Sequence, residues 1–268
     1  MDNWGYFEKR YGTEIGRGAQ CRVYRSEDTA YKVLTEGHLL IDALRECYSL
    51  AAVDEIGVPI NNLSGVYRDA GQIVIATRYV AGNELIDSVV SCVERGDEVA
   101  LAKHLGSMAD LALRINEVDG ARLGLPRSKD NLGLYFKTKY LGGDASRARL
   151  LALLDGLPDG DRLCHNDLHL KNVLFDGAAY TVIDWDSATA GDPAGDVAHS
   201  YVITFMASRE LGVDLAERYL NIYLEKSGIE RERVRRWIPL HAALTYDVLK
   251  STGNPAADYL PLLCEAYL

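Results

Sequence analysis

Residues 164–172 read Cys-His-Asn-Asp-Leu-His-Leu-Lys-Asn, and the apolar run after them reaches Asp184 in Val182-Ile183-Asp184-Trp185. Asp167 is thus followed by an amide five residues on, Asn172, and by a second carboxylate twelve residues beyond that. Phosphoryl transfer from a nucleoside triphosphate needs such a set: one carboxylate to orient an attacking hydroxyl and take its proton, an amide and a carboxylate to hold Mg²⁺ on the phosphates. Oxygen ligands suit Mg²⁺, which keeps part of its water shell and binds phosphate readily. In this reading Asp167 is the base and Asn172 and Asp184 the metal ligands. His165 is an orienting residue under the loop, and His169 is placed to donate to the transferred phosphoryl group.

The 268 residues suffice for one large domain or two lobes. A net charge of −10 excludes a nucleic-acid backbone as the natural partner. No apolar run approaches the roughly 18–20 residues of a membrane span, so no membrane partner is expected. The first ten residues lack the n- and h-regions of a signal peptide, and a cytoplasmic location is expected. Cysteines 21, 47, 92, 164 and 264 are scattered, with neither disulfide nor zinc-ligand spacing.

The first eighty residues read as short strands around one helix. Runs Gly12–Arg25, Thr29–Leu34 and Gln72–Tyr79 are β-rich. Ile41–Ile56 carries apolar residues at helical spacing (Ile41, Leu44, Tyr48, Ala51, Ala52) and stops at Gly57. From Glu84 onward helices are expected at 84–95, 99–118, 146–154, 196–211, 214–226, 231–249 and 256–267, interrupted by β-rich 162–165 and 180–183. Segments 119–130 and 141–145 read as loops. The expected class is α+β, bilobal, with a small β-rich N-lobe over 1–80 that binds nucleotide and a larger, mainly helical C-lobe over 81–268 that carries catalysis and acceptor binding.

Within the small lobe, Ile15-Gly16-Arg17-Gly18-Ala19-Gln20-Cys21-Arg22-Val23 is a glycine loop between strands, where Gly16 and Gly18 let backbone N–H groups approach phosphates. Lys32, one strand later in Ala-Tyr-Lys-Val-Leu, has the place of a phosphate-pairing lysine. Glu46 in the following helix is its expected partner. Asp42, one turn earlier, competes for that role. Backbone groups of Arg78, Tyr79 and Val80, at the crossover between lobes, are candidates for an adenine edge, with the small Thr77 beside them. After Asp184 comes Gly191-Asp192-Pro193-Ala194-Gly195-Asp196. Asp192 is read as a turn residue or as facing the acceptor, and Asp196 as the N-cap of the next helix or a brace under the loop.

Together these residues resemble the aminoglycoside phosphotransferase and choline kinase superfamily, which has a protein-kinase-like fold. The resemblance spans about residues 12–200 and rests on His165-x-Asp167-x-His169-x-x-Asn172, Ile183-Asp184-Trp185 and Gly191-Asp192-Pro193-x-x-Asp196, supported by Gly16, Gly18, Lys32 and Glu46. It implies that Lys32 and Glu46 order the triphosphate of ATP or GTP, that Asp167 acts as base, and that Asn172 and Asp184 bind Mg²⁺. Cys21 stands where the family's loop has a third glycine. Trp185-Asp186 replaces Phe-Gly, and no Ala-Pro-Glu follows, so a small-molecule hydroxyl is expected as acceptor rather than a protein. From residue 173 onward there are 14 Asp/Glu against 8 Lys/Arg, which suits a cationic, aminoglycoside-like acceptor, although Arg231, Arg233, Arg235 and Arg236 interrupt that acidity. A choline- or ethanolamine-type acceptor is the alternative, for which Tyr201, Tyr219, Tyr223, Trp237 and Tyr246 would form a cage. A nucleotide-binding module without turnover and a minimal protein kinase are the remaining readings.

Overall fold

The computed structural model describes residues 3–18, 21–54 and 56–263, with the backbone alone for Asp42. The chain divides into two compact units, Met1–Asn83 with Leu174–Ser187, and Glu84–Val173 with Ala188–Leu268. The first unit begins with helix α1 (Trp4–Tyr11) and strands β1 (Thr13–Arg17), β2 (Cys21–Ser26) and β3 (Thr29–Leu34). Helix α2 (Leu40–Val53), β4 (Leu63–Asp69), β5 (Gln72–Arg78) and the two-residue β6 (Asn83–Glu84) follow. The sheet is antiparallel, in the order β1-β2-β3-β5-β4.

Strand alternation decides what lies on each face of this sheet. Tyr31 and Val33 of β3 join Phe7, Tyr11, Tyr24 and Val74 on the α1 side. Leu34, one residue out of phase with Val33, packs with Ile73, Ile75 and the α2 residues Ala43 and Cys47. Lys32 shares the face of Leu34 and therefore points toward α2. The packed stripe of α2 differs from the expected one. Ala43, Glu46, Cys47, Leu50 and Val53 are buried, whereas Ile41, Leu44 and Tyr48 are about half exposed. Two stripes at helical spacing run along this helix, and periodicity alone cannot choose between them. The stripe with small residues at 43 and 47 allows close approach to the sheet and carries the carboxylate that Lys32 requires.

The second unit is built from α3 (Leu85–Arg95), α4 (Glu98–Asn116), α5 (Ser128–Thr138), α6 (Asp144–Asp155) and β7 (Arg162–Cys164). The chain returns to the first unit through β8 (Val173–Phe175) and β9 (Tyr180–Val182). It then resumes with β10 (Thr189–Gly191), α7 (Pro193–Leu211), α8 (Leu215–Ser227), α9 (Arg231–Arg235) and α10 (Ile238–Ser251). Strand β7 pairs antiparallel with β10, Thr189 opposite Cys164. No helix among the described residues is long and apolar enough to cross a membrane.

Several expectations about elements need correction. Helices α1 and α5 and strands β4, β8 and β10 were not anticipated; α5 begins within the expected loop 119–130. The expected helix 231–249 is two, because Pro239 has no N–H to donate and disfavours helical backbone at the residue before it, so α10 starts beside it. Helix α7 starts at Pro193 with Asp192 as N-cap, not at Asp196. The end of the expected helix 256–267, with Cys264, lies outside the described residues; its first part is a 3-10 turn, Pro255–Tyr259. Residues 174–187, expected with the C-lobe, group with the first unit. There the Val182 N–H donates to the Pro59 carbonyl at 2.9 Å, and Phe175 lies so close to Gly82 (φ +125°) that a Cβ there would stand 2.7 Å from its carbonyl.

Candidate active site

In the first unit Lys32 Nζ lies 3.0 Å from each oxygen of Glu46 and 3.1 Å from Asp184 Oδ1. Burial alone would lower the pKa of this ammonium, but Glu46 and Asp184 outweigh it and hold the group above the ordinary lysine value. Lys32 therefore stays charged and fixed between two carboxylates. The Asp42 side chain lies outside the described residues, and the bidentate contact belongs to Glu46. Asp184 has φ +65°, a left-handed conformation uncommon for a residue with a side chain. Trp185, fully buried, anchors the turn by donating Nε1–H to the Val182 carbonyl at 3.4 Å. Beside it, burial and the charge of Asp184 push the Asp186 carboxyl up to about 6.

The glycine loop is the β1–β2 hairpin, with the Gly18 N–H donating to the Cys21 carbonyl at 3.0 Å. Neither Gly16 nor Gly18 has a left-handed φ, and a Cβ at Gly18 would stand 3.2 Å from Cys21 Sγ. Ala19 and Gln20, at the tip, lie outside the described residues. The crossover offers less to a base edge than expected: the Arg78 N–H already donates to Asn62 O at 2.8 Å and the Tyr79 N–H to Asp28 O at 2.7 Å. Both amides finish the sheet edge. Tyr79 is also covered by the Arg25 guanidinium, 3.7 Å from its ring centre.

In the second unit the loop after β7 is a cradle for one carboxylate. Asn172 Nδ2 donates to Asp167 Oδ2 and to the Asp167 carbonyl, both at 2.9 Å. The Asp167 N–H donates to Nδ1 of the buried His165 at 3.2 Å. Oδ1 faces two imidazoles, His169 Nε2 at 3.5 Å and His199 Nδ1 at 3.9 Å. Burial would raise the Asp167 pKa, but the His169 hydrogen bond and the imidazoles of His199 and His165 hold it below the ordinary aspartate value. Since His169 Nδ1 accepts the Lys171 N–H at 3.2 Å, its proton sits on Nε2 and points at Asp167. His169 thus serves the carboxylate in this structure, where the sequence suggested the phosphoryl group.

A buried network holds that loop. Asn166, with φ +57°, donates its N–H to Asp196 Oδ1 at 2.7 Å, and its side chain bonds Thr189 Oγ1 at 2.7 Å. Asp196 Oδ2 accepts from Asn116 Nδ2 at 2.9 Å, and Asn116 Oδ1 accepts from Tyr223 OH at 3.0 Å. One carboxylate in the first turn of α7 therefore ties the loop to α4 and α8. Sequence reasoning missed Asn116, Asn166 and His199; the first is an amide at the end of an amphipathic helix, with no spacing signal of its own. The Asp192 carboxylate is buried and engaged within the second unit. It is 1% exposed, caps α7 through the Ala194 N–H at 3.0 Å, receives Arg233 at 2.8 and 3.1 Å, and accepts from Trp237 Nε1.

Of the five aromatic residues expected to form a cage, Tyr246 is half-buried and the other four are packed inside. Tyr201, Tyr219, Tyr223 and Trp237 are buried, and Tyr201, Tyr223 and Trp237 bond Glu217, Asn116 and Asp192. The acidity of the C-terminal helices is likewise partly spent inside the protein. Glu217 is taken by Arg231, and Asp247 by Tyr135 OH and the Leu141 N–H.

A sequence model described as "Phosphotransferase enzyme family" (APH) matches residues 13–237. The chain belongs to this phosphotransferase family. Among curated proteins, this family member is 26% identical over 247 residues to Acyl-CoA dehydrogenase family member 11 of Mus musculus, covering 81% of the chain and 31% of that protein. The human protein of that name is 25% identical over 152 residues, 20% of its length. The chain thus spans under a third of the curated relatives it matches. A ternary complex of a thermostable mutant of aminoglycoside phosphotransferase APH(4)-Ia with ADP and hygromycin B has a TM-score of 0.71 at 16% identity, covering 100% of this chain and 98% of that chain. A choline/ethanolamine kinase family protein from Mesorhizobium loti gives 0.61 at 18% identity, covering 95% and 87%. These likenesses show the fold: α+β, a β-sheet N-terminal region and a helical C-terminal region, as in kinase-like phosphotransferases.

Proposed function

We propose that the protein is a Mg²⁺-dependent small-molecule kinase that transfers the γ-phosphoryl group of ATP or GTP to a hydroxyl. The observation that carries this reading is the Asp167 cradle: a carboxylate clasped by Asn172 on one oxygen, flanked by imidazoles on the other, and fixed from behind by His165. A carboxylate so held orients an acceptor hydroxyl and receives its proton as the O–P bond forms. Lys32, kept charged by Glu46, would bind the α- and β-phosphates, and the backbone of the Gly16–Gly18 hairpin would approach them. With the Arg78 and Tyr79 amides occupied, Val80 N–H and the segment's carbonyls are the groups for the base.

The donor set suits Mg²⁺. Asn172 commits its Nδ2 to Asp167, which leaves its amide oxygen as the ligand atom, and Asp184 engages Lys32 through Oδ1 alone. Both are hard oxygen donors. Held by such donors, Mg²⁺ would neutralise phosphate charge.

The acceptor is a hydroxylated small molecule. The internal pairing of Glu217 and Asp247 and the buried tyrosines weaken the case for a polyamine or a quaternary ammonium. A second reading, a hydroxylated acyl-CoA as acceptor, is favoured by the name of the curated relatives. A nucleotide-consumption screen against aminoglycosides, choline, ethanolamine, sugars, homoserine and hydroxyacyl-CoA thioesters tests the proposal. Stimulation by at least one acceptor is expected. Uniform silence with both ATP and GTP in the presence of Mg²⁺ would leave a nucleotide-binding module.

A further inference from the structure

We propose that His199 is a positioning residue for Asp167, holding Oδ1 through a proton carried on Nδ1; the activity arm of its test rests on the phosphotransfer reading above. His199 sits on α7 one turn beyond Asp196, and its Nδ1 is buried without a hydrogen-bond partner within bonding distance. The carboxylate 3.9 Å away is the group it faces. Catalytic hydrogen bonds are often long before the reactants arrive and tighten when they bind. Burial keeps this imidazole neutral, so it has a single proton to place. On Nε2, that proton would leave a lone pair aimed at an anion. On Nδ1, it supplies a donor to the oxygen that Asn172 does not hold.

The ring is braced for this task. His241 of α10 lies behind it, ring centres 5.1 Å apart, and Trp237 follows at 6.3 Å from His241. Trp237 is itself tied to the α7 N-cap Asp192. His169 reaches the same Asp167 oxygen with the opposite tautomer, its Nδ1 being occupied by the Lys171 N–H. Two imidazoles with protons on opposite ring nitrogens thus confine one carboxylate oxygen, one from the loop and one from the helix beneath it.

Side-chain geometry supplies the test. An asparagine at 199 can place its NH₂ where Nδ1 stands, a glutamine reaches the Nε2 position, and an alanine reaches neither. His199→Ala and His199→Gln should lower kcat by at least ~10-fold at unchanged nucleotide KM, while His199→Asn stays within about 3-fold. An alanine variant with unchanged kcat, or an asparagine variant as impaired as the alanine one, overturns the proposal. Nitrogen-15 spectra of the unmutated protein, with His199 assigned by its loss in His199→Asn, should show the Nδ1–H tautomer; the Nε2–H tautomer overturns the proposal however the variants fold. If the unmutated protein consumes no nucleotide with any acceptor, the phosphotransfer reading fails, and the tautomer still decides the role of His199.

Discussion

At the scale of single residues, two carboxylates, Glu46 and Asp196, hold their neighbours in place. Glu46 fixes Lys32 with both oxygens, so Glu46→Gln should loosen the ammonium and raise the nucleotide KM ~10-fold, about 1.4 kcal/mol, in steady-state kinetics. Asp196 is the acceptor for both the Asn166 N–H and Asn116. Removing it in Asp196→Ala orphans buried donors at about 1–3 kcal/mol each. A urea midpoint should register that loss, and turnover should fall with it because the Asp167 loop hangs from the same bond. The pairing of Lys32 with Glu46 is legible in the sequence. The spacing of Asp167, Asn172 and Asp184 and the position of Lys32 carry chemistry in themselves, whereas Asn116 and His199 matter only through neighbours that the fold brings to them.

At the scale of elements, α2 shows where pattern reading runs out. The expected helix is present, but its buried face is the other stripe, because both stripes repeat at helical spacing. Ile41→Lys and Leu44→Glu should each change stability by no more than ~0.5 kcal/mol, as surface substitutions do. Leu50→Ala, fully buried, should cost about 2–5 kcal/mol in denaturant melts. Asp192 shows a related ambiguity. Asp-Pro looks like an exposed turn in sequence, yet Pro at the first helical position and Asp as its cap are also a helix start. Asp192→Asn, which keeps a cap acceptor and loses the Arg233 ion pair, should destabilise the protein while leaving the acceptor KM unchanged. A rise in that KM alone would return Asp192 to the acceptor site.

At the scale of the whole molecule, buried histidines contribute to the response to acid. His104, His199 and His241 all have pKa values lowered by burial from the ordinary 6.5. The unfolded chain therefore binds protons below pH 6.5 that the native state refuses. Their contribution is fully present above that pH and is lost as pH falls below it, at up to ~1.4 kcal/mol per pH unit for each histidine. Urea melts between pH 5 and 7.5 should show stability rising with pH, and His104→Gln should remove part of that slope. The fold class and the division into a sheet-bearing and a helical region followed from the order of β-rich and helical runs. The return of residues 174–187 to the first unit did not, since it depends on a bond from Val182 to Pro59 that no local pattern announces. The proposed reaction is phosphoryl transfer to a small hydroxyl with Asp167 as base. Acceptor-stimulated nucleotide consumption by the unmutated protein and by Asp167→Asn, with nucleotide binding measured in both, tests it most directly. Stimulation by at least one acceptor is expected, with a loss of at least ~10²-fold in kcat in the variant and nucleotide affinity retained; a variant as active as the unmutated protein would rule Asp167 out as base.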